Sequence, residues 1–105
     1  MKFKILIIFL LFFNLLLSQF KDTLSVSALK LTKQEVTYDP EYYSIDYPNG
    51  DIPSDKGVCT DVIIRAYRLI GIDLQKDVHE DMKANFDKYP DNWGLIKPDK
   101  NIDHR

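Results

Sequence analysis

The chain has 105 residues, 14 basic and 16 acidic side chains, a formal net charge of −2 and a single cysteine. That length allows one domain at most, and so mild an acidity leaves no electrostatic footprint for nucleic acid. One cysteine excludes an internal disulfide, and the sequence contains neither a glycine-rich phosphate loop nor a serine-centred elbow.

Lys2 and Lys4 precede an apolar run, Ile5 to Leu17, interrupted only by Asn14. As a helix this run measures about 20 Å, short of the ~30 Å hydrocarbon core of a bilayer. A basic start, a short apolar centre and the small Ser18 match a secretory signal peptide over residues 1–18. They predict export to the periplasm or the cell exterior. Leu16 is larger than the usual cleavage pattern, which keeps an uncleaved anchor open, and membrane contact is expected through this leader alone. No cysteine follows the run, so a lipoprotein anchor is excluded. Losing Lys2 and Lys4 with the leader takes the net charge from −2 to −4. The remainder, about 87 residues, would bury only about 60–65% of its unfolded surface, without disulfide staples. That is a first hint that the chain is incomplete.

Residues 19–37 have weak helical periodicity, with Leu24, Ala28 and Leu31 on one face, and read as a short helix or linker. Tyr38 to Asp55 holds four tyrosines, three prolines and an Asn49-Gly50 pair, which predicts an extended, turn-rich loop. Its tyrosines either cap a small core or form a platform for a sugar or peptide. Val58 to Ile70 is the clearest helix. Cys59, Ile63, Ala66 and Ile70 recur at helical spacing, Val62 and Leu69 widen the stripe, and Gly71 follows at the position of a C-terminal cap. Asp61 and Arg65 are expected to pair at (i, i+4) on the other face. Asp73 reads as the N-cap of a second helix, Leu74 to Lys88. There Leu74, Val78, Met82 and Phe86 form the buried stripe, and Lys76, Glu80, Lys83 and Asp87 face solvent. Two residues join the helices, predicting a hairpin or corner. Tyr89-Pro90 ends the second helix, and Trp93 to Arg105 reads as loop.

Cys59 is the residue with most chemistry. In the first turn of a helix, unpaired N–H groups and the helix dipole favour negative charge, and the thiolate is the nucleophile. Gly57 leaves room for a substrate carbonyl, and the Cys59 amide can contribute to an oxyanion hole. Asp61 works against a thiolate, and a cysteine buried on the apolar stripe is the competing reading. His79, mid-helix beside Glu80, reads as a packing or surface histidine. His104 lies at a terminus, where residues are ordinarily poorly held. Neither histidine has a metal-ligand spacing, so no metal and no cofactor are expected.

Three strings of the chain carry a resemblance. They are Tyr38-Asp39-Pro40, Ile45 through Pro53, and Gly57-Val58-Cys59-Thr60-Asp61-Val62-Ile63-Ile64-Arg65-Ala66-Tyr67-Arg68. It continues through Gly71 to Gln75, Val78 to Met82, Trp93-Gly94-Leu95 and Asn101-Ile102-Asp103-His104-Arg105. Together they resemble the bacterial exported family called domain of unknown function 1287, which looks related to papain-like cell-wall cysteine peptidases of the NlpC kind. The resemblance implies an α+β, papain-like fold, here truncated mostly to its helical portion. Cys59 matches the nucleophile position, and the general base is implied on a strand beyond the Asn-Ile-Asp-His-Arg string. Tyr47, Asp51, Asp61 and Arg65 become candidate substrate-binding or structural neighbours. The implied activity is hydrolysis of envelope amide bonds, with peptidoglycan or an envelope peptide as substrate and an incomplete site in this chain. The alternatives are a non-catalytic envelope-binding module and a truncated product without function.

Overall fold

A computed structural model describes every residue from Met1 to Arg105. Residues 2–31 form one helix, α1 (Lys2–Leu31). Its apolar N-terminal part is compatible with a signal sequence, and the short helix expected after it is continuous with that part. No proline or glycine occurs between residues 2 and 31 to break it. Its N-terminal part is exposed, and α1 is long and apolar enough to cross a membrane. Its last turns pack onto the rest of the chain. Ser27 is buried, Leu24, Ala28 and Leu31 are half-buried, and the Phe20 ring lies 6.3 Å from that of Tyr67. The weak face read from Leu24, Ala28 and Leu31 is the face that packs.

Strands β1 (Thr37–Tyr38) and β2 (Lys56–Gly57) form a parallel pair, with Thr37 opposite Lys56 and Tyr38 opposite Gly57. The loop between them is pinned by polar side chains. The Tyr43 hydroxyl donates to Asp39 at 2.7 Å, and Lys56 Nζ reaches both Asp39 (3.1 Å) and the Tyr43 hydroxyl (3.2 Å). Hydrogen bonds from Tyr43, the Glu41 amide and Lys56 hold the Asp39 carboxyl down at about 2. At the expected turn, Asn49 takes the left-handed conformation (φ 60°). Gly50 serves a different purpose: a Cβ there would stand 2.0 Å from the carbonyl oxygen of Asp46.

Helix α2 (Cys59–Leu69) falls within one residue of its expected limits, and Gly71 follows it at φ 85°. Its orientation corrects the sequence reading. Val62, Ile63 and Leu69 are 48%, 54% and 56% exposed, and Cys59 is exposed beside them. Of the expected stripe Ala66 is buried and Ile70 half-buried; the other side chains that pack inward, Asp61, Ile64 and Arg68, lie on the opposite arc at 100° per residue. The apolar periodicity is real, but the loops packed against α2 offer carboxylates and carbonyls. They cover the charged arc and leave most of the apolar one open.

Helix α3 (Leu74–Asn85) ends earlier than expected, and Phe86–Lys88 form a 3-10 turn. Asp73 caps it, accepting the Gln75 amide at 3.1 Å, and also accepts the Asn49 amide at 2.8 Å. Met82 is buried, Leu74, Val78 and Phe86 are half-buried, and Lys76, Glu80, Lys83 and Asp87 face solvent as read. The most enclosed side chain is polar. Gln75 is fully buried, accepts the Gly50 amide (2.8 Å), and donates to the carbonyls of Asp46 (2.8 Å) and Lys100 (3.1 Å).

The segment Asp99–Arg105 corrects a second expectation, that of a loosely held end. Asn101 accepts the Ile45 amide at 3.1 Å and donates to the Tyr42 hydroxyl at 2.6 Å. Asp103 binds His79, and Arg105 binds Asp61. Alternate residues of one short string thus clip the tyrosine loop, α3 and α2.

Candidate functional site

Cys59 is the first residue of α2 and its thiol side is exposed. The competing reading, a cysteine sealed in the core, does not describe this chain. Val58 precedes it in extended conformation and has no side-chain oxygen to cap the helix. The cap comes from within the first turn: Asp61 Oδ2 accepts the Val58 amide at 2.7 Å. The amides of Cys59 and Thr60 are left among the unpaired donors of the helix start. Gly57 makes this approach feasible, because a Cβ there would meet the Asp61 side chain at 3.2–3.3 Å. Its role in the structure is to admit Asp61.

Asp61 and Arg65 do not pair with each other. Asp61 turns inward, is 3% exposed, and is gripped through both oxygens by Arg105, Nε to Oδ1 at 3.0 Å and Nη2 to Oδ2 at 3.1 Å. Arg105 Nη1 also donates to the Glu41 carbonyl at 3.2 Å. Arg65 instead donates to Asp51, from Nε at 2.9 Å and Nη2 at 3.2 Å, and Arg68 lies 3.4 Å from the same carboxylate. The (i, i+4) pair loses because a guanidinium forty-four residues on and a loop carboxylate offer two-point, partly buried partners. Tyr47 stands apart from both pairs. Its hydroxyl donates to Glu80 at 2.6 Å, which holds the phenol up at about 12, and its ring lies edge-on to His79 at 5.2 Å.

His79 is more than a surface histidine. Its Nδ1 lies 2.8 Å from Oδ2 of Asp103, whose side chain is fully buried. The carboxylate places the proton of a neutral ring on Nδ1 and leaves Nε2 as the basic nitrogen. No local signal marks this dyad, since its members are 24 residues apart. His104 is half-buried, its Nδ1 is buried without a partner, and burial pushes its pKa below the ordinary 6.5. Neither histidine hydrogen-bonds the sulfur of Cys59. No group of three or more His, Cys, Asp or Glu side chains is arranged to hold a metal.

Residues 25–105 match the family described as Domain of unknown function (DUF1287), and the chain belongs to that family. Over 68 residues it is 59% identical to the Uncharacterized protein YijF of Escherichia coli (strain K12). That stretch is 65% of this chain and 33% of the relative, so the chain spans about a third of the length of the curated relative it matches. No solved structure matches.

Proposed function

We propose that this chain carries the nucleophile of an exported cysteine hydrolase of papain-like, NlpC-type architecture that acts on amide bonds of the cell envelope, peptidoglycan stem peptides foremost. The observation that carries this reading is an exposed thiol on the first residue of a helix whose neighbouring amides are uncapped. Unpaired first-turn donors favour both a thiolate and the oxyanion formed when it attacks a carbonyl.

The thiolate adds to the amide carbon. Collapse of the tetrahedral oxyanion breaks the C–N bond, and the amine leaves with a proton from the general acid. Water then cleaves the thioester, giving a carboxylic acid and restoring the thiol. Neither histidine of this chain hydrogen-bonds the sulfur, so in this reading the proton-handling group comes from the further length that the relative has beyond the matched third. The open apolar arc of α2, with Val62, Ile63 and Leu69, supports the same architecture, in which the nucleophile helix packs on a sheet. Tyr47, Asp51, Asp61 and Arg65 act as structural neighbours in this reading, each having its polar atoms engaged within the chain.

The test is hydrolysis of purified peptidoglycan by the complete polypeptide of a family member carrying this sequence, and by its Cys59→Ala variant. Release of new amino groups by the wild type alone supports the reading. Equal release by both ends it, and retained peptidoglycan binding without hydrolysis by either replaces it with an envelope-binding module.

A further inference from the structure

Leu69 is 56% exposed on the last turn of α2, and Val26 is 53% exposed on α1 beside it. The two line one shallow cleft with Asp22, Thr23 and Ile70. At the other end of α2, Val62 lines a cleft with Leu31 and Val36. The two helices therefore run antiparallel, and the end of α2 stands level with residues 22–26 of α1. The Phe20–Tyr67 ring contact fixes the same register. Phe20 is also the last residue of the apolar stretch that begins at Phe3, and the charged Lys21 and Asp22 follow it.

The rest of the chain leaves that stretch uncovered, and it is apolar enough to cross a membrane. As a helix, Phe3 to Phe20 measures about 27 Å, a little under the ~30 Å hydrocarbon core. A span slightly too short draws its flanking turn, and whatever is packed on that turn, toward the bilayer. Here the packed element is the end of α2. At 1.5 Å per residue, Leu69 stands within about 10 Å of the level where the apolar stretch ends, which is the headgroup zone. The Phe20–Tyr67 pair occupies the depth at which aromatic rings favour a membrane interface. Ser18 lies inside an unbroken helix, and Leu16 is larger than the residue a cleavage site takes.

We propose that α1 stays on the chain as a membrane anchor and that the end of α2, through Leu69, rests on the surface of the lipid bilayer. Val62, seven residues earlier on the same open arc, is held about 10 Å farther out and does not reach the lipid. The contact is independent of the reading of Cys59 as a nucleophile. It gives the exposed leucine an occupant that the apolar stretch of α1 already places beside it.

The experiment uses the full chain in vesicles of phosphatidylethanolamine and phosphatidylglycerol. Cys59→Ser removes the one native thiol, and a nitrobenzoxadiazole probe is carried on a single introduced cysteine. A nitroxide on the lipid headgroup should quench the probe at Leu69→Cys about twofold. It should leave the probe nearly unchanged at Val62→Cys and at Lys83→Cys on the solvent face of α3. Val26→Cys should follow Leu69→Cys, and it decides alone if circular dichroism shows that Leu69→Cys does not fold. Val62 and Leu69 are about equally exposed, so equal quenching at both would mean adsorption of the whole apolar arc and would overturn the proposal. Absence of quenching at Leu69→Cys and Val26→Cys overturns it too. Mass spectrometry of the chain recovered from bacterial membranes should find it intact from residue 1, and a chain that begins at Gln19 ends the proposal.

Discussion

Gln75 Oε1 accepts the backbone N–H of Gly50 at 2.8 Å, tying the first turn of α3 to the middle of the tyrosine loop. The amide nitrogen of the same side chain holds the carbonyls of Asp46 and Lys100. Three segments meet on one fully buried group. Gln75→Ala leaves one donor and two acceptors without partners and should cost about 3 kcal/mol in urea unfolding. Gln75→Glu keeps an acceptor for Gly50 but turns a carboxylate toward two carbonyls, and should be at least as damaging at pH 7.

The two glycines flanking this region separate two reasons for lacking a side chain. Gly50→Ala forces a Cβ to 2.0 Å from a backbone oxygen and should cost more than about 3 kcal/mol, or prevent folding. Gly71 has open space around it and a φ of +85°, so Gly71→Ala should cost about 1 kcal/mol through backbone conformation alone. Chemical denaturation of both variants checks the difference.

His104 gives the chain an acid-sensitive element. Its folded pKa is depressed by burial below the ordinary 6.5, so the unfolded chain takes up the proton first as pH falls. Its contribution is complete above pH 6.5 and is lost as pH drops from there through the folded value. Subtracting the stability profile of His104→Gln from that of the wild type should leave a decline confined to that interval. A flat difference would rule the mechanism out.

The open arc of α2 makes a prediction about stability. Val62 and Leu69 are about half exposed, so their replacement by serine removes about half a side chain of buried apolar area at each. The double variant should lose about 2 kcal/mol in chemical denaturation, about half of what the same changes would cost in a sealed core. Destabilisation well beyond that would mean these side chains are packed within the chain.

Local signals were readable and distant pairings were not. The limits of α2, the Asp73 cap, Gly71 and the solvent face of α3 follow from spacing and capping chemistry within a few residues. The stripe on α2 was legible as apolar, but periodicity says nothing of which neighbour covers it. Asp61 looked like a partner for Arg65 because both sit at helical spacing. Its actual partner is forty-four residues away, and the Asp103 that binds His79 is twenty-four away. Gln75 carries no marker at all, since a buried amide is identified by the three backbone groups around it. Cys59 was the one candidate whose setting, a helix start, could be read directly.

The alternate residues Asn101, Asp103 and Arg105 set an order of events during synthesis. The tyrosine loop, α2 and α3 are all made before the string that latches them. A polypeptide emerging N-terminus first therefore presents its helices with Asp61 and His79 still unanswered. Only when Arg105 emerges can all three clips be engaged together, so closure waits on this string.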